Sequence, residues 1–139
     1  MRIYFAGAIR GGRQDVGTYE ELISHLQGYG EVVSEHVGSK DLDAQGSHGS
    51  ARDIHDRNLQ KLEQSDVVVA EVTTPSLGVG YELGKATDQG KQALCLHRPT
   101  NGKRLSAMIG GCPDVTVKEY SDVEEAKRLI DAFIDHNNL

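Results

Sequence analysis

Asp66-Val67-Val68-Val69-Ala70-Glu71-Val72 runs into Thr73-Thr74-Pro75-Ser76-Leu77-Gly78-Val79-Gly80-Tyr81-Glu82-Leu83-Gly84, and the reading of this stretch decides the fold. Its first seven positions are nearly continuously apolar and β-branched, the pattern of a central strand covered on both faces. Pro75, Gly78 and Gly80 then break the strand, and helix-favouring residues resume from Tyr81 to Gln89. Strand, glycine-rich turn and helix in that order place Ser76, the N–H groups near Gly78 and Gly80, and Glu82 at the carboxyl edge of a parallel sheet. That edge is where α/β folds bind ligands. Glu82 is therefore a candidate nucleophile, although a carboxylate early in a helix is equally explained by the favourable dipole alone.

Working outward, the same alternation repeats. Arg2 to Ala6 reads as a first strand, followed by a loop rich in glycine and arginine, Gly7 to Arg13. Tyr19, Leu22, Ile23, Leu26 and Tyr29 recur at helical spacing and predict an amphipathic helix from Val16 to Gly28. Glu31 to His36 is a second strand, and the polar run from Gly38 to Ser50 is a loop. From Ala51 to Gln64 a helix carries Ile54, Asn58 and Leu62 on one stripe, which turns Asn58 inward. Beyond the opening stretch, Gln92 to His97 and Asp114 to Tyr120 supply two more strands, a short apolar piece at Leu105 to Ile109 lies between them, and Val123 to Ile134 closes the chain as an amphipathic helix. Strands alternating with helices predict an α/β fold: a doubly wound, five-stranded parallel sheet with helices on both faces, flavodoxin-like in the order 2-1-3-4-5. That order brings Tyr4, the Arg10 loop and Glu82 to one cleft.

The 139 residues fit a single domain, 1–139. A net charge of −6 with no basic block gives no electrostatic case for long nucleic acid or a membrane surface, and no apolar run approaches membrane length. Cys95 and Cys112 show neither close pairing nor metal spacing, which suggests reduced thiols in an intracellular protein. The expected location is the cytoplasm, with the nucleus also open. His55 and His97 lack partners at metal spacing, so no metal site is expected.

Gly78, Gly80 and Gly84 invite a dinucleotide-binding reading, but their spacing is G-x-G-x-x-x-G and no acid-terminated strand follows about 20 residues on. Ser76 is readable as a helix cap, with or without a phosphate on the neighbouring N–H groups. Tyr81 and Tyr4 are each readable as core aromatics. Two arginines among the glycines of the Gly7 to Arg13 loop suit close approach by an anion or form only a solvated turn. His36 is either a polar edge residue or a contact to a bound base.

Several ordered stretches resemble one family: IYFAGAIRGGR (3–13), EHV (35–37), IHDRNL (54–59), QSDVVVAEVTTPSLGVGYELG (64–84), LCLHRP (94–99) and LSAMI (105–109). The chain is similar nearly end to end to the 2'-deoxynucleoside 5'-phosphate N-hydrolases, relatives of the nucleoside 2-deoxyribosyltransferases. The resemblance implies cofactor-free hydrolysis of the bond between base and sugar in 2'-deoxynucleoside 5'-monophosphates. Alternatives within and beyond that fold are a deoxyribosyltransferase, a ribonucleotide N-hydrolase acting for example on CMP, and a silent nucleotide-binding module. By similarity, Glu82 is the carboxylate that attacks the anomeric carbon and Tyr4 positions it. Gly7, Ala8, Ile9, Arg10, Gly11 and His36 line the phosphate, sugar and base, with Ala8 where close relatives often have serine. Ser76, Gly78 and Ser106 contact the phosphate, Ser106 reaching the site of the partner subunit in a homodimer.

Asn58 departs from the family pattern, which has an aspartate there that helps the base leave. An amide keeps the size but cannot exchange a proton as a carboxyl group does. The chain is therefore expected to be impaired: either an Asp→Asn change made to hold substrate without turnover, or a natural variant using Asp53 or Asp56. The first fits the helix better, because those two acids fall on other faces.

Overall fold

A computed structural model describes residues 1–8, 16–33, 49–100 and 104–139. Five strands form one parallel sheet in the order β2-β1-β3-β4-β5: β1 (Arg2–Ala6), β2 (Glu31–Val32), β3 (Val67–Glu71), β4 (Gln92–His97) and β5 (Val115–Glu119). The expected order 2-1-3-4-5 is thus the observed one. Ser34 to His36, the remainder of the expected second strand, lies outside the described residues. All five residues of β3 are buried, as its unbroken apolar run requires of a strand covered on both sides.

Strand alternation divides the core in two. Ile3, Phe5, Val67, Val69, Leu94 and Leu96 face α1 (Val16–Gln27) and α5 (Val123–His136). Tyr4, Ala6, Val68, Ala70, Ala93 and Cys95 share the other core with Leu62 of α2 (Ala51–Glu63) and with Val79 and Leu83 of α3 (Leu77–Asp88). The short α4 (Ala107–Gly110) follows β4 and touches β5. Tyr19, Leu22, Ile23 and Leu26 form the buried stripe of α1. Tyr29 does not extend that stripe: it is 40% exposed beyond the helix end, with its hydroxyl on Asp131. The turn into β2 requires Gly30, since a Cβ there would lie 2.2 Å from the Met1 carbonyl oxygen.

One boundary differs from the sequence expectation in a way that matters. α3 begins at Leu77, not Tyr81, because Ser76 caps it, its Oγ accepting from Val79 N–H at 3.3 Å. Gly78 and Gly80 therefore lie inside the first turns of the helix, and Glu82 sits in its second turn. Cap formation outweighs the propensity cost of two glycines near a helix start, where not every N–H has a helical partner.

Candidate active site

Crossover helices run back along a parallel sheet, so the N-terminal halves of α2 and α3 both stand at its carboxyl edge. α2 is started there by a capping box: Ser50 Oγ accepts from Asp53 N–H, and Asp53 reaches back to Ser50 N–H. Asn58 lies one turn before Leu62, which anchors the helix in the same core as Tyr4 and Leu83. Asn58 Oδ1 is buried and has no hydrogen-bond partner among the described residues. A buried acceptor left open is costly unless a ligand completes it.

Tyr4 and Glu82, 78 residues apart in sequence, meet through a short hydrogen bond from the tyrosine hydroxyl to Glu82 Oε2. Tyr4 is 1% exposed, so its ring is a core aromatic while its hydroxyl bonds the candidate nucleophile. Burial pushes the Glu82 carboxyl up from its ordinary 4.5 to about 7, and the bond from Tyr4 only partly opposes this. Burial, then the nearby Glu82 charge and the bond to it, raises the Tyr4 phenol well above its usual range, so Tyr4 stays a donor. A carboxylate that loses its proton near neutrality and is held by one fixed donor is suited to nucleophilic work.

Neither acid considered as a stand-in for position 58 is free to serve there. Asp53 is occupied in the capping box, and exposed Asp56 bonds His55 Nδ1 at 2.9 Å and Arg52 Nε at 3.4 Å. Above the α2–α3 contact, His55 Nε2 lies 3.1 Å from the Tyr81 hydroxyl, with the two rings 5.7 Å apart. Tyr81 is 49% exposed, not a core residue as its aromatic character also allowed.

Gly7 is fixed by packing, because a Cβ there would lie 2.9 Å from the Tyr19 ring. Ala8 is fully buried, and its N–H donates to the Tyr19 hydroxyl at 3.1 Å. Ile9, Arg10, Gly11 and His36 lie outside the described residues. Gly78 and Gly80 are not demanded by the chain itself: an added Cβ would meet only Ser76 Oγ at 3.8 Å at the first, and nothing within 4 Å at the second. Open space over a helix start with accessible N–H groups suits an anion.

A groove of about 600 Å³ runs beside this centre, between α3 and α4, with Ser76, Gly80, Arg104 and Ser106 among its lining. Tyr4, Asn58 and Glu82 do not line it. Burial and a fixed donor converge on Glu82, which makes it the candidate reacting group. Ser106 is exposed and caps α4, accepting from Met108 N–H at 3.2 Å.

One buried network was not singled out from sequence. Glu71 is 0% exposed, and its carboxylate accepts from Thr73 N–H at 3.0 Å, Thr73 Oγ1 at 2.6 Å and the Tyr120 hydroxyl at 2.5 Å. Thr73 Oγ1 also accepts from Arg98 N–H at 2.9 Å. The cluster ties the ends of β3, β4 and β5 under the turn that presents Ser76. Its signal was in plain view: Glu71 is the one charged residue inside the apolar run Val67 to Val72.

Comparison with known proteins identifies the family of the chain. The chain is 50% identical over 138 residues to the 5-hydroxymethyl-dUMP N-hydrolase of Tetraodon nigroviridis, covering 96% of this chain and 97% of the relative. It is 48% identical over 135 residues to the Homo sapiens protein of the same name, covering 96% and 76%. Among solved structures, the CMP N-glycosidase of Clostridium botulinum shares the fold with a TM-score of 0.71 at 19% identity, covering 95% and 99%. A designed Rossmann 2x3 protein also matches, with a TM-score of 0.52 at 17% identity over 97% and 89%, so the fold alone carries no chemistry. Among the described residues no helix is long and apolar enough to cross a membrane. The sequence profile of the nucleoside 2-deoxyribosyltransferase family matches residues 3–127, and the chain belongs to that family.

Proposed function

We infer that this protein hydrolyses the N-glycosidic bond of 2'-deoxynucleoside 5'-monophosphates, releasing free base and 2-deoxyribose 5-phosphate through a covalent intermediate on Glu82. The observation that carries this reading is the Tyr4–Glu82 pair, an enclosed carboxylate bonded to a fixed donor. As the bond between C1' and the base nitrogen breaks, positive charge grows on the sugar ring. Ionised Glu82 stabilises that charge and traps the sugar, as in retaining glycosidases. Water then attacks C1' and frees Glu82.

The choice of a 5'-monophosphate rests on Ser76, Gly78, Gly80 and the N-terminus of α3. The names of relatives at about half identity point the same way, and make 5-hydroxymethyl-dUMP a substrate to test beside dUMP. Leu77 and Met108, 97% and 85% exposed beside the groove, support a homodimer in which Ser106 serves the partner's site.

Chromatographic assay of base release from a panel of deoxy- and ribonucleotides tests the reading on this chain and on Asn58→Asp. Release from deoxynucleoside monophosphates, increased by Asn58→Asp and abolished by Glu82→Ala, is expected. Failure of both forms to release any base would refute hydrolysis. A new nucleotide on addition of a second free base would indicate transfer instead.

A further inference from the structure

Base departure leaves an electron pair on a ring nitrogen that a proton must meet, and this requirement rests on the hydrolysis reading above. Two polar groups, Tyr4 on Glu82 and Asn58 on α2, are poor sources. The Tyr4 proton is committed to Glu82, and the amide of Asn58 has no acid proton to give. Three residues earlier on α2, and so on an adjoining part of the same surface, stands His55.

His55 is held on both sides. Asp56 Oδ1 lies 2.9 Å from Nδ1, and the Tyr81 hydroxyl lies 3.1 Å from Nε2. A carboxylate on one ring nitrogen makes that nitrogen the donor and leaves Nε2 as the atom that gains and loses the exchangeable proton. Tyr81 belongs to α3, immediately before Glu82, so the contact joins the helix of Asn58 to the helix of the nucleophile. Charged groups around this cluster include Arg52, which bonds Asp56, and Lys85, 5.6 Å over the Tyr81 ring.

We propose that His55, oriented by Asp56, supplies the proton for the departing base through the hydroxyl of Tyr81. As the bond from C1' to the base nitrogen breaks, Glu82 bonds to C1' and the Tyr81 hydroxyl proton passes to the nitrogen. The Nε2 proton of the imidazolium replaces it on Tyr81, leaving His55 neutral. Attack of water on C1' then breaks the ester to Glu82, restores its carboxylate, and returns a proton through Tyr81 to His55. One water is consumed, and no oxidant or metal is needed. His55 thus acts through Tyr81 as a relay residue that substitutes for a carboxyl group at position 58.

The test compares two substrates with different needs for a proton: dUMP, and 2-deoxyribose 5-phosphate carrying 4-nitrophenolate, which leaves without protonation. His55→Gln and Tyr81→Phe are expected to slow dUMP turnover on the order of 100-fold, the scale of general acid catalysis, while the nitrophenyl substrate stays within about threefold. The alkaline fall of kcat/KM on dUMP should disappear in His55→Gln. Melting temperatures of the variants check that both remain folded. Equal slowing on both substrates, or no slowing on either, overturns the relay and leaves hydrolysis standing. Inactivity of the unsubstituted chain on both substrates overturns the relay, and inactivity of Asn58→Asp as well overturns hydrolysis.

Discussion

Replacing Glu82 with glutamine should stabilise the protein at neutral pH and not at acid pH, because the fold holds this carboxylate where ionisation is disfavoured. Its carboxyl moves from the ordinary 4.5 to about 7 on folding, with burial the leading cause. At ~1.4 kcal/mol per pH unit the difference is about 3 kcal/mol. The direction follows from proton counting. Below about pH 4.5 both states carry the protonated form and the site costs nothing. Between there and about pH 7 the unfolded chain ionises while the folded one keeps its proton, so stability falls as pH rises. Above about pH 7 the whole penalty is present.

Glutamine has no charge to lose and keeps an acceptor for Tyr4, whose buried phenol stays protonated across this pH range. The difference in unfolding free energy between Glu82→Gln and the parent should therefore grow from a constant offset near pH 4.5 by about 3 kcal/mol near pH 8. For a chain of 139 residues that growth is roughly 10 °C in melting temperature. Circular dichroism melts over that pH series measure it directly. A difference that stays flat across the series would refute the enclosure of Glu82, and with it the physical case for its role. The same carboxylate should make kcat/KM of the active form climb with pH up to about 7.

Other outcomes follow from the same geometry. Gly80→Ala enters open space and should add about 0.5–1 kcal/mol of helix stability while raising KM for a deoxynucleoside monophosphate. A stability gain with unchanged KM would show that the glycine does not serve the ligand. Tyr120→Phe removes a buried donor to Glu71 and should cost about 2 kcal/mol in urea denaturation, whereas a cost near zero would mean that the network does not brace the sheet. Met108→Lys should convert a dimer into a monomer by light scattering, and a monomeric parent would refute the role given to the exposed Leu77 and Met108.

Much of this was legible because local sequence dictates it. The apolar run from Val67 to Val72 could only be a covered strand, and the alternation of elements left few topologies open. Ser76 is readable as a cap, yet Gly78 and Gly80 weighed without it read as breakers and predict a helix start four residues later than the one observed. Tyr81 was readable as core until the fold turned it toward His55 at the surface. Both points share a cause: propensity is summed along the chain, while the outcome depends on a capping bond and on the helix across the cleft.

The sequence by itself determined the parallel sheet, its strand order, the cap at Ser76 and the inward stripe that carries Asn58. Periodicity and turn chemistry encode these within a few residues. Only the tertiary structure decided that Tyr4 bonds Glu82 across 78 residues, that Asn58 Oδ1 is left without a partner among the described residues, and that Asp56, His55 and Tyr81 form a chain between two helices. Proton affinity and hydrogen-bond reach depend on burial and on which groups meet, and those are fixed only when the helices pack on the sheet.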